Sequence, residues 1–91
     1  LAGLGACGWQ STDSDYIAAM SFDLGSEGKS NGNEACGHTL NISRGSKMIT
    51  VTVVDSCEAC APADVDLSPS AFQALADLSE GRVPITWTWA S

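Results

Sequence analysis

The stretch Val51–Leu75, VTVVDSCEACAPADVDLSPSAFQAL, decides how the chain is to be read. It passes from a β-rich run through a pair of cysteines to aspartates and a helix start. Its left end completes Lys47–Asp55 (KMITVTVVD). Alternation puts Ile49, Val51, Val53 and Asp55 on one face there, and Met48, Thr50, Thr52 and Val54 on the other. Upstream, His38–Ser43 (HTLNIS) and the turn Arg44-Gly45-Ser46 complete a β-hairpin, since β-branched runs flank a glycine-containing turn. At the right end Ser68 is placed to cap a helix with Pro69 at its first position, which needs no N–H. Leu67 is set to pack on Phe72 as a staple; Phe72, Leu75 and Leu78 recur at helical spacing, and Gly81 is the expected terminator.

Outside this centre the chain is strand and loop. Tyr16–Phe22 (YIAAMSF) reads as a strand between glycine-rich and polar segments, and Gly25–Glu34 as one long polar loop. The closing Val83–Trp89 (VPITWTW) puts Val83, Ile85, Trp87 and Trp89 on one face of a last strand. Many short strands with one helix predict a mainly β fold, a small barrel. A chain of 91 residues closes one hydrophobic core and no second, so residues 1–91 are expected to form a single domain, a monomer.

Charge excludes some partners. Eleven acidic residues against four basic ones give a net charge of −7, which repels nucleic acid and anionic lipid. No apolar run approaches membrane-spanning length. Between Lys47 and Arg82 there is no basic residue, while Asp55, Glu58, Asp64, Asp66, Asp77 and Glu80 fall inside that span. An even number of cysteines in a short chain points to disulfides and a secreted, extracellular protein. The first residue, Leu1, not Met, fits a leader that has been removed. The triplet Asn41-Ile42-Ser43 is an N-glycosylation acceptor in a eukaryotic host.

Cys57-Glu58-Ala59-Cys60 admits three readings. A zinc site would need Cys7 and Cys36 to converge on it, and tetrathiolate sites pair their cysteines in both halves. A thioredoxin-like centre puts its first thiol at a helix N-terminus, whereas here the helix starts about ten residues later amid acidic neighbours. Structural bridges remain, and of the three connectivities the expected one is Cys7–Cys36 with Cys57–Cys60. No metal or cofactor is expected.

The aspartates hold the functional interest. Asp55 ends an apolar strand face before the cysteine loop and Asp66 precedes the helix cap, which sets both at element ends near one rim. Carboxylates there are partly desolvated and suited to acid chemistry or to accepting sugar hydroxyls. Each has an ordinary alternative: an Asx turn for Asp55, and backbone N–H bonds at the helix start for Asp66. Asp64 reads as a solvated loop charge. Trp9 and Tyr16 are candidates for stacking on sugar rings; Trp87 and Trp89 read as core, and His38 as a surface or packing residue.

At Gly3–Trp9 (GLGACGW), Val51–Cys60 (VTVVDSCEAC) and Asp64–Leu75 (DVDLSPSAFQAL) the chain resembles the expansin-like double-psi β-barrel family. Within that family it is similar to the single-domain fungal loosenins. The resemblance implies a six-stranded double-psi β-barrel with one or two short helices. It also implies a secreted protein that binds cell-wall polysaccharide (cellulose, chitin or a related glucan) and loosens it without hydrolysis. The family's Thr-Asp-x-Cys motif appears as Val54-Asp55-Ser56-Cys57, and its His-Phe-Asp-Leu motif as Asp64-Val65-Asp66-Leu67. Asp66 then matches the general acid of the related family 45 endoglucanases, with the neighbouring His and Phe replaced. Those inverting enzymes need a second carboxylate as base, which in them lies upstream of the Cys-Gly-Trp that Cys7-Gly8-Trp9 resembles. Leu1–Ala6 contains no acid, so hydrolysis is not expected. Related barrels include papain inhibitors, which makes a secreted protease, met by the Gly25–Glu34 loop, the alternative partner. They also include lytic transglycosylases, the second alternative.

Overall fold

The computed structural model describes residues 3–4, 7, 10–11, 14–20, 36–57, 60–61 and 64–90. Trp9, Phe22 and the Gly25–Glu34 loop lie outside the described residues. The strands are β1 (Gly3–Leu4), β2 (Gln10–Ser11), β3 (Ile17–Met20), β4 (Thr39–Arg44), β5 (Lys47–Ser56), β6 (Val65–Leu67) and β7 (Thr86–Trp89), with one helix, α1 (Pro69–Gln73). β1 pairs with β2, and the other strands form one five-stranded sheet in the order β6-β3-β5-β4-β7. Among the described residues there are seven strands, two of them in the separate β1–β2 ribbon, a mainly β fold as expected.

The hairpin is where the alternation put it. β4 pairs antiparallel to β5 from Thr39↔Thr52 to Arg44↔Lys47, and Gly45 takes the positive φ of 61° that the tight turn requires. The side chains Leu40, Ile42, Val51 and Val53 are buried and form the core with Ala18, Met20, Ala71 and Leu75. Ile85, Trp87 and Trp89 pack against it as the odd positions of the last strand predict. Trp89 meets Trp87 edge-on with ring centres 5.4 Å apart, and His38 stands edge-on to Trp89 at 6.2 Å. The histidine is a packing residue.

β3 is parallel to β5 and antiparallel to β6, so it lies between the two strands that hold the candidate aspartates. All four of its residues are buried, as fits a strand covered on both faces. Ser68 ties the helix to it. The Ser68 N–H donates to the Ile17 carbonyl at 3.0 Å, and its Oγ accepts the N–H groups of Ile17 and Ala71, each at 3.4 Å. The same hydroxyl donates to the Asp15 carbonyl. Ser68 is fully buried, so its cap is also a tertiary joint.

The helix is shorter than its apolar spacing predicts. α1 stops at Gln73, and a separate 3₁₀ turn, Leu78–Glu80, precedes Gly81 with φ 66°. Two side chains account for the break. Arg44 reaches from β4 to donate to the Leu75 carbonyl at 2.9 Å, which satisfies the helix end. Glu80 accepts the Asp77 N–H at 3.1 Å and starts the next turn. Leu75 therefore faces the core while Leu78 is 48% exposed.

Candidate functional site

Cys7 is bonded to Cys36 and Cys57 to Cys60, with Cα separations of 5.6 and 5.4 Å. No thiol is left for a tetrathiolate zinc site. The Cys57 N–H donates to the Met20 carbonyl at 2.9 Å. The short disulfide loop is thereby fixed to the end of β3.

Asp55 and Asp66 come together through β3. Ala19 is the register partner of Asp55 on one side and of Asp66 on the other. The three Cα atoms form one row across adjacent strands, with the aspartates about 10 Å apart. A bulge between Ala18 and Ala19 interrupts the pairing on the β5 side, and such a bulge re-aims the side chains beside it. Asp55 is half-buried, and its Oδ1 accepts the following Ser56 N–H at 2.8 Å, a bond to the next residue rather than the one two residues on that defines an Asx turn. Asp66 lies in the middle of β6 rather than beyond a strand end, and it is exposed rather than partly desolvated. The helix start takes its cap from Ser68.

An open groove of about 890 Å³ lies along β6, α1 and the segment 81–85. Asp66 lines it and Asp55 does not. Its apolar walls include Val65, Leu67, Phe72, Val83 and Ile85, and the Cys57–Cys60 bridge lines it as well. Asp64 and Arg82 add charge, joined by an ion pair at 3.0 Å. Sequence reasoning missed these two. Asp64 is half-buried in the groove wall, not a free loop charge. The signal was present in Arg82, which closes the long span without a basic residue. Phe72, the expected partner of the Leu67 staple, also lines the groove.

Tyr16 is 44% exposed just before β3 and is not among the groove residues. It is thus separated from the Asp66 row by three residues of strand, about 10 Å. Trp9 lies outside the described residues. Asn41 is on the outward side of β4, where its Oδ1 accepts the Thr50 hydroxyl at 2.8 Å. Among the described residues no three His, Cys, Asp or Glu side chains gather as a metal site.

With this geometry in place, residues 21–87 match the double-psi β-barrel family described as lytic transglycolase, and the chain belongs to that family. Its structure is similar to that of a Streptomyces papain inhibitor, with 32% identity, a TM-score of 0.85, and coverage of 100% of this chain and 86% of that one. It is also similar to an expansin of Clavibacter michiganensis, with 28% identity, a TM-score of 0.75, and coverage of 96% and 41%. An aspartate-to-asparagine mutant of that expansin, in complex with cellohexaose, matches with 26% identity, a TM-score of 0.78, and coverage of 100% and 44%. Against Allergen Asp f 7 of Aspergillus fumigatus the chain is 46% identical over 48 residues, 53% of this chain and 18% of that protein. The chain spans less than half of the expansins and a fifth or less of the allergen. It is an expansin-like, barwin-like double-psi β-barrel protein.

Proposed function

We propose that the protein is a secreted, non-hydrolytic polysaccharide-binding protein that loosens cell-wall glycan by competing for hydrogen bonds between chains. The observation that carries this reading is the groove, whose lining combines the exposed Asp66 with apolar residues. Glycan sites combine such surfaces, apolar area for sugar faces with a few placed polar acceptors for hydroxyls. The cellohexaose complex of a similar expansin supports the ligand class. Asp66 binds sugar hydroxyls as a charged acceptor, and Asp55 holds the adjoining strand end. Tyr16 offers a stacking surface beyond the groove, where longer chains would pass, and Trp9 is the other stacking candidate.

Hydrolysis is disfavoured by the placement of the carboxylates. An inverting enzyme sets its acid and base on opposite sides of the sugar with room for a water. Asp64 and Asp66, the acids lining the groove among the described residues, are two residues apart in the chain, Asp64 just before β6 and Asp66 within it. Asp64 is also held by Arg82.

A second reading has its own observation, the papain inhibitor that matches along the whole of this chain. In that reading a secreted protease is bound through loops such as Gly25–Glu34, with no need of Asp66. The description of the family raises a third, lytic cleavage of peptidoglycan. One set of assays separates them. Wild type is expected to sediment with insoluble cellulose or chitin and to release no reducing sugar, and Asp66→Asn to sediment several-fold less. Equal failure of both proteins to sediment, with papain inhibition that survives loss of Asp55 and Asp66, moves the protein to the inhibitor class. Clearing of a peptidoglycan suspension moves it to the lytic class.

A further inference from the structure

Every threonine of the chain except Thr12 falls on the outward face of the sheet β5-β4-β7. The register makes this an array. Asn41 on the central strand faces Thr50 on one side and Thr88 on the other. One step along, Ser43 faces Met48 and Thr86. In the opposite direction Thr39 faces Thr52. Thr50, Thr86 and Thr88 are exposed, and the intervening residues turn to the core. Strands about 4.8 Å apart, with same-face residues about 6.7 Å apart, give these side-chain hydroxyls and the Asn41 amide a two-dimensional repeat.

No charged side chain stands in these rows, in a chain with eleven acidic and four basic residues. Exposed strands usually carry Lys or Glu among their threonines, which also guards against association. A neutral face complements a neutral partner, since neither side must give up ion hydration. The array measures roughly 10 by 14 Å between its outermost Cα atoms, far below the roughly 800 Å² per partner of a stable protein interface. It is therefore suited to a surface that repeats its own hydroxyls, where many weak contacts add. A single soluble chain would cover one row.

We infer that this face is a second glycan-binding surface, which lies flat on the hydroxyl-bearing face of a packed, uncharged polysaccharide and is separate from the Asp66 groove. The inference rests on the proposed function for the class of polymer but uses none of the groove residues. The test compares wild type, Thr50→Lys/Thr88→Lys and Thr50→Val/Thr88→Val, made in a bacterial periplasm so that Asn41 carries no glycan. Each is assayed on microcrystalline cellulose and on soluble cellohexaose. The valine pair keeps shape and strand preference while removing hydroxyls, so it guards against misfolding, which thermal melting also checks.

Both double variants are expected to lose about tenfold in retention on the solid and to keep wild-type affinity for cellohexaose. Undiminished retention by either pair overturns the inference, as does a wild type that binds cellohexaose but not the solid; the groove reading then stands. Retention on the solid without cellohexaose binding, lost in both pairs, supports the face and removes the groove as a glycan site. A wild type that binds neither removes both.

Discussion

The groove and the threonine face are built from the same chain by opposite means. The face is a continuous hydrogen-bonded ladder of β5, β4 and β7, each residue placed by its register. The groove is assembled from a three-residue strand, a one-turn helix, a 3₁₀ turn and an extended segment. These pieces are held by a disulfide loop, one buried serine and an ion pair. Regular pairing spreads stability over many similar bonds. The groove instead depends on a few joints, and its chemistry should be far more sensitive to single changes.

The largest effect is expected at Leu75, a fully buried side chain just after α1. Leu75→Ala is expected to cost about 3 kcal/mol in urea unfolding, against less than about 0.5 kcal/mol for Thr50→Val/Thr88→Val. Similar losses for the two would show that the ladder is no more tolerant than the groove. Ser68→Ala comes next, with about 2 kcal/mol expected, because the hydroxyl serves Ile17, Ala71 and Asp15 together. Amide exchange should quicken at both Ala71 and Ile17; quickening at Ala71 alone would reduce Ser68 to an ordinary cap. Cys57→Ala/Cys60→Ala opens a loop of only three residues' separation, for which chain entropy gives a loss of about 2 kcal/mol in urea unfolding. The smallest effect is that of Arg82→Ala. Its side chain is 80% exposed, so stability should change by less than about 1 kcal/mol, while the freed Asp64 makes the groove more acidic.

The same contrast explains what the sequence revealed. Alternation in Lys47–Val53 and Thr86–Trp89 is a period-two signal repeated over many residues, and it located the strands and the core; it failed at Asp55, which the bulge shifts off the Val53 face. The three ordered motifs carried the barrel. The site was harder to see because its parts are set by tertiary contacts. The helix stripe Phe72, Leu75, Leu78 predicts one helix to Gly81, and only the distant Arg44 and the local Glu80 explain why it breaks. Asp64 and Arg82 are 18 residues apart, and no local pattern pairs them. The common row of Asp55 and Asp66 depends on β3, a strand parallel to one neighbour and antiparallel to the other. Neither orientation can be read from alternation.

Titrating the ¹⁵N-labelled protein with cellohexaose and following each backbone amide tests whether the groove at Asp66 binds glycan. The largest shifts are expected at Val65, Asp66, Phe72, Arg82 and Ile85, reduced in Asp66→Asn, with the amides of Thr50 and Thr88 unmoved. A titration that leaves the groove amides in place, or moves them equally in Asp66→Asn, would contradict glycan binding there.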